Sequence, residues 1–80
     1  SDELMSFPPD WSHSDRREQV LATLDRLTQR HRHLLIAHYV DGIPTPVLAD
    51  DLGIGLAAVE SALARARRSF KRHYDEEQHR

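Results

Sequence analysis

The three glycines and four prolines of this 80-residue chain all lie before residue 56, and they fall in three groups. Proline fixes φ and lacks a backbone N–H, while glycine takes left-handed angles at little cost, so each group interrupts or ends a helix. Pro8-Pro9 closes a leader, Gly42, Pro44 and Pro46 form a second break, and Gly53 and Gly55 a third. Between these breaks the apolar residues recur at steps of three and four, the spacing of one helix face. The expected fold class is therefore all-α, a compact four-helix domain ending in a helix-turn-helix, with no credible strand.

The first helix is expected to start at Ser12 or Ser14, whose hydroxyl can accept an orphan N–H of the first turn. Val20, Leu21, Leu24 and Leu27 supply its apolar side. Thr28 is expected to cap a second helix carrying Leu34, Leu35, Ala37, His38 and Tyr39, which Asp41-Gly42 ends. Thr45 is the expected cap of a short third helix, with Pro46 at its first position. Val47, Leu48, Ala49 and Leu52 form its apolar side. A fourth helix opens near Leu56 and runs to about Tyr74, with Leu56, Val59, Leu63, Ala66 and Phe70 as its buried stripe and Ala57, Ser61, Arg65, Arg68 and Arg72 opposite. The expected organisation is a leader or interdomain linker at 1–13, a domain at 14–74 and an acidic tail at 75–80. Phe7 and Trp11 either pack loosely on the domain or dock elsewhere. The opening Ser1 suggests a fragment of a longer protein.

With no cysteine, neither a disulfide framework nor a thiolate metal site is possible, so stability has to come from helix packing. No apolar run approaches the roughly 20 residues of a membrane span, and the first residues lack the pattern of a signal peptide. The net charge of −2 conceals segregation. Residues 1–15 hold four acids and no base, and 16–40 hold five arginines against two acids. Residues 41–60 hold four acids and no base, whereas 61–74 hold five bases and no acid. Two basic blocks around an acidic one fit a domain with one cationic face.

A short helix, a glycine turn and a longer helix with a basic outer side describe a helix-turn-helix. Ala49 is small where the two helices cross, Gly53 supplies the turn, and Ile54 and Val59 fill the angle between them. The run His38-Tyr39-Val40-Asp41-Gly42-Ile43, then Ala49, then Leu52-Gly53-Ile54, then Val59 to Arg68 with its Leu63-Ala64-Arg65-Ala66-Arg67 core, resembles region 4 of the extracytoplasmic-function sigma factors. Leu27, Arg30 and Arg32 match the opening of that family's second helix, and the resemblance covers about residues 15–74.

The resemblance implies a bacterial, cytoplasmic domain that binds promoter DNA at the upstream, minus thirty-five element and binds core RNA polymerase. An anti-sigma factor is the implied regulator. Carried over, Arg30, Arg32 and Thr45 would grip phosphates, and Ala57, Ala58, Glu60, Ser61 and Arg65 would face the groove, with the later Arg68 along phosphate. The chain departs from the family at four positions. Many members have Ser or Thr at Gly55, Thr at Ala58, a base at Glu60 and Arg at Ala62. Losing two cations weakens phosphate attraction, so the isolated domain is expected to bind DNA weakly. Glu60 either accepts from a cytosine amino group or repels the backbone.

Other readings of the same residues are weaker. His31, His33 and His38 do not compose a metal set, because residues two apart on a helix face different ways; no cofactor is expected. His38 stands where the family often has Arg, which implies a phosphate or surface role. No nucleophile elbow, carboxylate pair or phosphate-cradling loop is present, so an enzyme is not expected. A protein-interaction module is the main alternative, on the strength of Glu60 and the alanines Ala57, Ala58 and Ala62. A LuxR-type response-regulator domain is a third reading, disfavoured by the Arg-Ala-Arg segment. Neither a membrane nor a small-molecule partner is expected, and the isolated domain should be monomeric.

Overall fold

The computed structural model describes residues 14–79, and helices account for nearly all of them. Helix α1 spans Ser14–Arg26, α2 spans Gln29–Leu35 and continues as a π-helical turn over Ile36–Val40, α3 spans Thr45–Leu52, and α4 spans Leu56–Gln78. No strand occurs among the described residues. Helix α4 is the axis of the molecule: α1, α2 and α3 all pack on it. Its 23 residues, at about 1.5 Å per residue, account for most of the 38 Å long dimension.

The core joins all four helices. Val20, Leu24 and Leu27 of α1 and its end meet Leu34, Leu35 and Ala37, Leu48 and Ala49, and the α4 stripe Val59, Ala62, Leu63, Ala66, Phe70 and Tyr74. Phe70 and Tyr74 stack with ring centroids 5.6 Å apart, extending the apolar contact beneath α1. Thr23 is buried among these residues, and its hydroxyl donates to the Gln19 carbonyl at 2.7 Å. That bond satisfies a polar group which would otherwise be costly to bury.

Each helix end has a local cause. Thr28 caps α2 as expected, its Oγ1 accepting the His31 N–H at 3.2 Å. Helix α3 starts one residue earlier than the cap assigned to Thr45: Pro44 is the extended cap residue, and its carbonyl accepts from Val47 and Leu48. Pro46 therefore sits in the first turn, where its missing N–H has no partner to lose. Gly53, at φ 68°, ends α3. The Gly53 N–H bonds to Asp50 and the Ile54 N–H to Ala49, the pair of closing bonds that a left-handed residue makes possible. Ile54 thereby folds back onto the core. The side chains of Ser12 and Ser14, the expected caps of α1, and the leader with Phe7 and Trp11 lie outside the described residues.

Besides the Thr45 cap, four expectations about burial are corrected. Val47 is 46% exposed and stands outside the buried side of α3 formed by Leu48 and Ala49. Leu21 is 55% exposed, because the buried line of α1 runs through Val20, Leu24 and Leu27 and Leu21 stands about 100° away from it. Leu56 is 45% exposed, since it is the first residue of α4 and the buried stripe starts at Val59. Ala62 is 3% exposed and belongs to the core rather than to an outward alanine face.

The acidic end is helical as well. Helix α4 continues past Tyr74 to Gln78. Acids near a helix C-terminus oppose the helix dipole. Here Arg26, at the end of α1, offsets that by pairing with Glu76 at 2.9 Å and Glu77 at 3.4 Å.

Candidate nucleic-acid interface

Helices α3 and α4, joined by the Gly53 turn, hold a fixed angle because Ala49, Leu48 and Val59 are buried between them and Ile54 packs beside them. The outward side of α4 is then set by the helix period. With Val59, Leu63, Ala66 and Phe70 turned inward, Ala57, Ala58, Glu60, Ser61, Arg65, Arg68 and Arg72 are all exposed. The first two turns of this side are small and uncharged apart from Glu60. The following turns are cationic.

The arginines divide by what they touch. Arg32 is half-buried and donates to the Leu24 carbonyl at 3.3 Å, closing the end of α1. Arg67 donates to the Tyr39 hydroxyl at 3.1 Å, which ties α4 to the π-helical turn. Arg26 holds the acidic end of α4. In contrast Arg30, Arg65, Arg68 and Arg72 are exposed, and none makes a hydrogen bond or ion pair among the described residues. A guanidinium with no protein partner keeps its donors available for a phosphate or a base edge. Arg72 is the residue that the sequence reading placed on the outer side without assigning it a role. Thr45 is half-buried at the start of α3.

The π-helical turn is the feature that positions Tyr39. The Asp41 N–H reaches back five residues to Ile36, and the Ile43 N–H reaches Ala37 across Gly42 at φ 73°. His38 is half-buried, and its Nδ1–H donates to the Ile43 carbonyl at 2.8 Å, with its ring edge-on to Tyr39 at 4.8 Å. His38 thus has a structural contact that its sequence position did not announce, because the widened turn brings this carbonyl within its reach. His33 is exposed and His31 half-buried. No three metal-ligating side chains gather among the described residues.

This arrangement offers an outward helix side with Ala57, Ala58 and Ser61 near its start and the exposed Arg65, Arg68 and Arg72 further along, the shape and charge that fit a major groove. Residues 17–70 match the family described as Sigma-70, region 4. The chain belongs to this family. A search of curated proteins found no match. The sigma-70 region 4 domain is a DNA-binding helix-turn-helix of transcription initiation, and here α3 and α4 form that motif, with α4 as its recognition helix. No helix among the described residues is long and apolar enough to cross a membrane.

Proposed function

We propose that this region 4 domain places α4 in the major groove of the upstream promoter element near minus thirty-five, and binds core RNA polymerase as part of a cytoplasmic sigma factor of the extracytoplasmic-function type. The observation that carries this reading is the run of exposed arginines Arg65, Arg68 and Arg72 on the outer side of the recognition helix, none of which has a partner among the described residues. Ala57, Ala58, Glu60 and Ser61, nearer the start of α4, face the base edges. Arg65 stands where groove and backbone meet. Arg68 and Arg72 follow phosphate, with Arg30 and Thr45 on the flanking strand; Arg32 contributes only the part of its guanidinium not held by Leu24. An anti-sigma factor regulates the domain by covering this same surface, and the domain alone is a monomer.

Titration of the ¹⁵N-labelled domain with promoter duplex tests the assignment. The expected outcome is that amide shifts concentrate on residues 55–72 and around Arg30 and Thr45. Shifts confined to α1 and the acidic end of α4 would contradict it.

A second reading, a helix-turn-helix that binds a regulatory protein instead of DNA, draws on one observation. Leu56 is exposed beside the exposed Ala57 and Ala58, an apolar surface at the start of α4. Under that reading Ser61→Ala and Arg65→Ala leave DNA association unchanged. Under promoter readout both weaken it.

A further inference from the structure

Glu60 is an anomaly on the recognition helix. The exposed residues over the first two turns of α4 are Leu56, Ala57, Ala58, Glu60 and Ser61, and Glu60 alone among them is charged. Its neighbours on the helix surface, three and four positions away, are Leu56, Ala57, Leu63 and Ala64. None is a cation, so no ion pair along the helix neutralises it. It makes no hydrogen bond or ion pair with any other described residue. It also lies beyond the first turn, where a carboxylate complements the helix dipole most. The exposed carboxylate is thus unpaired among the described residues, on a helix whose next exposed residues beyond Ser61 are Arg65, Arg68 and Arg72, all basic.

Beside DNA such a group is unfavourable unless it meets a donor, because phosphates repel it. An ionised carboxylate only accepts hydrogen bonds. In the major groove adenine sets its amino donor beside the N7 acceptor, which repels a carboxylate. Cytosine presents its N4 amino donor with no acceptor on the same base edge. The small side chains of Ala57, Ser61 and Ala64 around Glu60 let the helix approach closely enough for the contact.

We propose that Glu60 is a specificity-determining residue, its carboxylate accepting a hydrogen bond from the N4 amino group of one cytosine in the promoter element and disfavouring duplexes that lack it. The assignment rests on the promoter-binding reading given above and narrows it to a base.

The test is selection of bound duplexes from a random pool at low salt, using the 80-residue chain as wild type, Glu60→Ala and Glu60→Gln, with circular dichroism to confirm that all three are folded. Wild type is expected to favour cytosine at one position by about 5- to 150-fold. Glu60→Ala loses that preference, keeps the others and binds unrelated duplexes more tightly. Glu60→Gln moves the preference to adenine, since an amide matches both the amino group and N7. An unchanged base profile in Glu60→Ala would overturn the assignment while leaving promoter binding intact. A wild-type pool with no base enriched at any position would overturn promoter readout itself, and the Glu60 assignment with it.

Discussion

Arg65 and Arg67 are two positions apart on one helix, yet they have opposite employments. Arg67 is held by the Tyr39 hydroxyl, and Arg65 points outward without a protein partner among the described residues. Replacing Arg65 with Ala should leave stability nearly unchanged and lower the slope of log affinity against log salt by about 1, the signature of one lost phosphate contact. Tyr39→Phe removes the acceptor and should destabilise the fold by about 0.5–1.5 kcal/mol, read from urea unfolding, with little change in the salt slope. The outward position of Arg65 followed from its spacing relative to Val59 and Leu63. The occupation of Arg67 did not, because Tyr39 lies 28 residues away and its placement depends on a widened turn that no residue pattern announces. His38 escaped for the same reason.

Among the elements, the breaks were the most legible, since glycine and proline act through their own backbones. Gly42 and Gly53 both have positive φ, and the turn of the helix-turn-helix depends on the second. A Cβ built on Gly53 meets nothing within 4 Å, so Gly53→Ala should cost only the left-handed backbone strain, about 1–2 kcal/mol. For a domain of this size that corresponds to a fall in Tm of roughly 4–8 °C per kcal/mol. The far end of α4 was less legible. Three successive acids, Asp75-Glu76-Glu77, read as a solvated tail until Arg26 is seen beside them.

A hydrogen bond from His73, together with the charge of Arg26, holds the Glu76 carboxyl below its ordinary pKa of 4.5. A carboxyl lowered in the folded state stabilises above its unfolded pKa and loses that contribution as pH falls through the folded value. The last turn of α4 should therefore fray as the pH drops below 4.5. Amide exchange at residues 75–78 would show this, and Glu76→Gln should flatten the dependence. An equal pH response in that variant would contradict the role given to Glu76.

At the scale of the whole molecule, one buried line along α4 organises everything else. Phe70 is 1% exposed, and Phe70→Ala should cost about 3–5 kcal/mol. That approaches the lower end of the usual stability of native domains, about 5–15 kcal/mol, where a domain of this size belongs, so this variant is expected to lose much of its helical circular dichroism near room temperature. The four-helix layout was readable because few arrangements bury four such stripes without strands or disulfides. The inward turn of Ala62 and the outward turn of Leu21 and Leu56 were not, since they depend on how far each neighbour reaches along α4.

The central claim is that the outward arginines of α4 read promoter DNA. Fluorescence anisotropy of labelled promoter and unrelated duplexes, at two salt concentrations, with wild type and the Arg65→Ala/Arg68→Ala double variant, tests it most directly. Wild-type binding should favour the promoter and weaken with salt, and the double variant should bind more weakly with a salt slope smaller by about 2. Equal affinities and equal slopes for wild type and variant on the promoter duplex would contradict the claim and shift attention to a protein partner for this face.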